Sequence, residues 1–184
     1  MDNEFKHINI IGTNNKYQMK KIMEKITEKE IKKRVQTKNW LISDENFEYS
    51  KQLQMIIDIS NNNFSYINNI TKIAIQEIKR KINGYKQQDI IKNHFNKINF
   101  LTFESIIYKM IECKLKCRYC KNEMNVLYDI LREKKQWSVD RIDNNFGHNE
   151  NNYHLACLDC NLKRRRRSDA NFLFTKQLNI IKKD

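Results

Sequence analysis

The sequence predicts an α+β protein, with a helical N-terminal region over residues 1–83 and a small ββα unit within residues 84–184. Three observations carry that reading. Two Cys-x-x-Cys pairs, Cys117/Cys120 and Cys157/Cys160, stand 36 residues apart. Two short apolar stretches, one opening at Trp137 and one closing at Cys157, flank an Asn-rich loop between those pairs. Upstream of Gly84, apolar residues recur at helical spacing.

Taken in order, residues 1–16 show no periodicity, and only a short strand at Ile8–Ile11 is expected. Met19, Ile22, Met23 and Ile26 form one stripe among Lys and Glu, which predicts a helix from Tyr17 to Thr37. Trp40, Leu41 and Ile42 anchor a turn. Ser43 or Asp44 then caps a helix to Ile59, with Tyr49, Leu53, Ile56 and Ile57 inward. Asn61, Asn62 and Asn63 mark a loop. Ile67, Ile70, Ala74 and Ile78 predict a helix over 65–82, whose last turn carries Lys79, Arg80 and Lys81 as surface charges. Asn83-Gly84 is its expected stop and the domain boundary. A short helical run to Phe95 follows. Thr102 caps a helix over 103–113 that buries Phe103, Ile106, Ile107 and Met110. Ser168 caps a last helix with Phe172, Leu173, Leu178 and Ile181 inward.

Composition limits the function classes. Thirty-five basic and 22 acidic residues give a net charge of +13, which favours a polyanionic partner, with nucleic acid ahead of a membrane surface. No apolar run reaches the roughly 18 residues of a membrane span. The opening MDNEFKHINI lacks the layout of a secretory signal. Five cysteines without an export signal point to an intracellular, reducing compartment, where thiolate–metal bonds outcompete disulfides.

A two-residue spacer lets both sulfurs of a pair reach one tetrahedral ion, so Cys117, Cys120, Cys157 and Cys160 predict a structural Zn²⁺. Four thiolates close its coordination shell, and any catalytic metal must sit elsewhere. Cys113 is read as a packed free thiol.

Val139-Asp140-Arg141-Ile142, then Asn152-Tyr153, then Cys157-x-x-Cys160-Asn161 between two cysteine pairs resembles the HNH endonuclease family in its zinc-bearing, ββα-metal form. The flanking residues WSVDRIDNNFGH and CNLKRRRRS also resemble HNH-type proteins of large and giant DNA viruses, which implies a virus-infected host cell as one setting. The resemblance covers about residues 113–178. It implies that Asp140 and Asn161 hold a catalytic Mg²⁺ or Mn²⁺, and that Asn152 pins the loop carrying the general base. The family places that base directly after the aspartate, where this chain has Arg141. An arginine stays protonated and cannot take a proton from water, so Arg141 is expected to clamp the scissile phosphate. Three bases remain open: His148, which is favoured, Asp143, or a metal-bound hydroxide.

Lys163, Arg164, Arg165, Arg166 and Arg167 adjoin Asn161 and are expected to bind the nucleic-acid backbone. A solvated helix end or a nuclear-import signal are the plainer readings of that run. Together these features predict a metal-dependent endonuclease acting on double-stranded DNA. The alternatives are an inactive zinc module that binds nucleic acid and a zinc-stabilised protein-interaction domain.

Overall fold

The computed structural model describes residues 31–40, 42–61 and 69–178. The chain divides into two compact units, Met1–Lys32 and Lys33–Asp184, and all the described helices and strands belong to the second. That unit is α+β: five α-helices and one two-stranded antiparallel sheet among the described residues. None of those helices is long and apolar enough to cross a membrane.

The expected strand at Ile8–Ile11 and most of the helix expected over Tyr17–Thr37 lie outside the described residues. The described end of that helix is not α-helical. Lys33 bridges Ile130, and Arg34 precedes a single 3-10 turn, Val35–Asn39. Arg34 is drawn inward because Glu77 pairs with it at 2.6 Å and the Tyr128 ring lies under its guanidinium.

A second 3-10 turn, Asp44–Phe47, precedes helix α1, Tyr49–Ser60. The single helix expected from Ser43 or Asp44 is therefore broken at Glu48. The break lets Gln52 turn inward, where its Oε1 accepts from the backbone N–H groups of Val126 and Leu127. Gln52, Met55 and Ile56 are the buried residues of α1, in place of the expected Ile57.

Helix α2, Asn69–Ile91, overturns the expected stop at Asn83-Gly84. A glycine inside a helix costs about 1 kcal/mol. Here Ile78, Ile82, Tyr85 and Asp89 continue one inward stripe across it, and the apolar burial of the first three outweighs that cost. The stop comes at Asn93, with φ 56°. The His94 N–H donates to Asp89 O and the Asn93 N–H to Ile90 O, the paired bonds of a Schellman ending.

Helix α3, Phe103–Glu112, starts as expected at Thr102, in a reciprocal capping box with Ser105. It buries Ile106, Ile107 and Met110 against α1 and α2. Strands β1, Trp137–Arg141, and β2, Tyr153–Cys157, pair with Trp137 opposite Cys157 and Asp140 opposite His154. Helix α4, Leu158–Arg164, follows β2 directly. Helix α5, Asp169–Gln177, is capped by Ser168 and buries Phe172, while Leu178 is exposed, contrary to expectation. Ile181 lies outside the described residues.

Candidate functional site

The four paired cysteines converge. Their sulfur atoms all lie within 4.8 Å of one another, and the Cys120 and Cys157 sulfurs are 3.9 Å apart. A tetrahedral ion with metal–sulfur bonds of about 2.3 Å sets sulfur–sulfur edges of roughly 3.8 Å, so the cluster can hold a metal ion. Its electrostatics favour one. A hydrogen bond from Cys157 holds the Cys117 thiol down to about 5. Burial, then the charge on Cys117, pushes Cys160 up to about 12. Four thiolates therefore need a countercharge to form together. Cys113 stands apart from this cluster, its sulfur 3.5 Å from Met110 O.

A cleft of about 510 Å³ opens beside this scaffold, lined by residues of α2, β1 and α4. Asp140, Arg141, His148, Asn161 and Arg165, five of the expected site residues, line it together. Asn161 is well placed by its own hydrogen bonds. Its Nδ2 donates to Ser138 Oγ and Val139 O, both at 3.1 Å. That fixes the amide orientation and leaves Oδ1 without a hydrogen bond among the described residues, an oxygen donor available to a cation.

Asp140 is more committed. Its Oδ1 accepts from Arg164 at 2.7 Å, and its Oδ2 lies 2.5 Å from the Tyr119 hydroxyl, which also reaches Asp169 at 2.9 Å. Burial pushes the Asp140 carboxyl above its ordinary value, against the opposing pull of Tyr119 and Arg164.

Arg164 departs from expectation. It is 1% exposed, and its guanidinium also donates to Arg141 O and Ile142 O, tying the end of α4 to the end of β1. It is not a surface cation free to meet a phosphate. The sequence does carry a signal for this: Arg164 lies four residues after Cys160, on the same inward helical face. Replacing Arg164 with alanine leaves Asp140 buried and unpaired. The expected cost is about 3–5 kcal/mol of stability, measurable as a lower urea midpoint.

Arg165, Arg166 and Arg167 lie beyond the helix, because α4 ends at Arg164 and Arg165 turns at φ 55°. Arg165, Arg166 and Arg167 are exposed, and Lys163 is exposed with an ion pair to Asp159. Arg165, Arg166 and Arg167 border a groove of about 860 Å³ that includes Lys92 and His94 and shares Arg141, Asn144 and Arg165 with the cleft. Lys92 and His94 have no local sequence signal; the Schellman turn brings them there.

Arg141 is not a free clamp either, since its guanidinium donates to Asn144 O and Phe146 O and so holds the loop between the strands. Asn152 holds the same loop. Its Oδ1 accepts from the Asp143 N–H, and its Nδ2 donates to Asp143 O and Gly147 O. Asp143 lines the basic groove and not the cleft.

His148 is 3% exposed, not a free loop residue. Its Nδ1 is 2.7 Å from Asp89 Oδ1, and its ring stacks on Tyr85 at 4.7 Å. No hydrogen bond engages Nε2 among the described residues. Burial lowers the His148 pKa, as do Arg141 and Lys92, against the pull of Asp89. The imidazole is therefore neutral near pH 7. His154 lies outside this cleft, with Nε2 3.7 Å from Asp169.

Lys81, expected on the surface, instead packs against Tyr128 and Trp137. It donates to Gln136 Oε1 and Trp137 O, and burial lowers it to about 7. Comparison with known protein families, curated proteins and solved structures finds no match to this chain.

Proposed function

We propose that this protein is a metal-dependent endonuclease of the HNH type, with a structural zinc at Cys117, Cys120, Cys157 and Cys160, that hydrolyses phosphodiester bonds in DNA. One observation carries the reading: a single cleft, sharing residues with a basic groove, is lined by Asn161 with an unbonded Oδ1, by Asp140 and by His148 with an unbonded Nε2. Asn161 and Asp140 are hard oxygen donors, the type that Mg²⁺ and Mn²⁺ prefer. A bound cation would supply Lewis-acid stabilisation of the phosphate and leaving oxygen. The chain's own groups do the rest. His148 accepts a proton from water at Nε2, Asn152 holds the loop that carries His148, and Arg165, Arg166 and Arg167 hold the backbone beside the cleft.

The second reading, a zinc module that binds nucleic acid without cutting it, is favoured by the engagement of both Asp140 oxygens with Arg164 and Tyr119. Supercoiled plasmid incubated with the chain and Mg²⁺ or Mn²⁺ separates the two. Nicking supports the nuclease, and binding without nicking supports the module.

The groove makes its own prediction. Replacing Arg165, Arg166 and Arg167 together with alanine weakens DNA binding. It also flattens the slope of log affinity against log salt by about 0.9 for each phosphate left unneutralised. Fluorescence anisotropy at several salt concentrations measures this, and an unchanged slope rules the groove out as the binding surface.

A further inference from the structure

We infer that Asp89 and Tyr85, one turn apart on α2, form a positioning arm that sets the tautomer and orientation of His148 for proton abstraction. The inference rests on the endonuclease reading and extends it to a helix outside the ββα unit.

Asp89 is fully buried, and both its oxygens are spent on His148. Oδ1 meets the ring Nδ1 at 2.7 Å, and Oδ2 accepts the His148 backbone N–H at 2.6 Å. A carboxylate only accepts, so this contact puts the ring proton on Nδ1 and leaves the Nε2 lone pair open. Tyr85 supplies the second constraint. Its ring stacks on the imidazole, and its hydroxyl accepts the Val139 N–H at 3.0 Å, which fixes it to β1.

The backbone is built around this contact. The His148 carbonyl accepts from the Leu101 N–H, so residue 148 is held on both sides. At Gly147 any side chain is excluded: a Cβ would lie 2.4 Å from His94 O and 2.8 Å from Asp89 Oδ2. The Schellman turn that ends α2 presents His94 O there, and its 6→1 bond is accepted by Asp89 O. Helix end, glycine and histidine thus meet at one residue, Asp89. A core histidine needing only a hydrogen-bond partner would be satisfied by one contact. Here its ring, its backbone and its stacking face are all fixed, while Nε2 alone has no hydrogen bond among the described residues, on a residue that lines the same cleft as Asn161 and Asp140.

Two measurements on the 184-residue, metal-loaded chain test this. In the first, ¹⁵N-resolved NMR of the His148 ring in the unmodified protein, the expected tautomer carries its proton on Nδ1; a proton on Nε2 overturns the inference whatever the activity. The second uses Asp89→Asn. Its amide offers a donor to Nδ1, which moves the ring proton to Nε2 and blocks the base. The expected result is a fall in kcat of roughly 10²–10⁴-fold with DNA affinity and KM little changed. Nicking by Asp89→Asn at the unmodified rate, or a loss confined to KM, overturns the inference while leaving the nuclease reading intact. If the unmodified protein never nicks DNA, the nuclease reading fails and the arm's catalytic role fails with it. The NMR tautomer distinguishes that case from a misplaced arm.

Discussion

Removing the proposed zinc from the four cysteines is expected to abolish cooperative folding of the Lys33–Asp184 unit. Structural zinc contributes an apparent binding free energy of about 10–16 kcal/mol at neutral pH. A small domain is stable by only about 5–15 kcal/mol in total. The sheet has just two strands of five residues, a size that is marginal without support. Cys157 closes β2 and directly precedes α4, and Cys117 anchors the knuckle whose Arg118 N–H donates to Leu155 O. Loss of the ion therefore releases β2, α4 and the knuckle together. Without the ion, Cys160 is forced toward its protonated form, because burial and the neighbouring sulfurs oppose a second thiolate. The expected observations are one zinc per chain by elemental analysis and loss of the thermal transition in circular dichroism after chelation. Cys160→Ser should behave like the chelated protein. A metal-free chain with an unchanged melting curve contradicts the scaffold.

Replacing His148 with alanine lowers the nicking rate by roughly 10²–10⁴-fold, the usual contribution of a positioned general base. DNA affinity should stay nearly constant, because the exposed cations of the groove are untouched. The unmodified protein adds a pH signature. Abstraction needs the neutral ring. Burial, Arg141 and Lys92 lower the His148 pKa below its ordinary 6.5, and Asp89 only partly offsets them. The neutral form is therefore present above the depressed value and is lost as pH falls through it. The acid limb of the rate profile should have its midpoint below 6.5 and be absent in His148→Ala. An acid limb above 6.5, or one that survives the substitution, assigns the base elsewhere.

How much of the fold and the cleft is legible in the sequence depends on the range of the interactions involved. The cysteine pairs are legible because a metal knuckle is a local pattern with a fixed spacer. Thr102 and Ser168 are legible because a cap bonds to a residue three positions on. The Asn83-Gly84 stop misleads because a local turn signal says nothing of the inward stripe of Ile82, Tyr85 and Asp89 that runs past it. The basic run hides Arg164, whose pairing with Asp140 crosses from α4 to β1. Asp89 carries no signal at all. Its partner lies 59 residues away, and nothing in the local pattern marks a helical aspartate as the one that meets a loop histidine.

In the proposed function, the cleft between α2, β1 and α4 cuts DNA with a cation held at Asn161. The most direct measurement is nicking of supercoiled plasmid by the zinc-loaded full chain in Mg²⁺ or Mn²⁺, beside Asn161→Ala protein matched for zinc content and melting temperature. The predicted result is metal-dependent conversion to open circles by the unmodified chain and none above background by the variant. Equal nicking by the two proteins, or none by either, contradicts the claim.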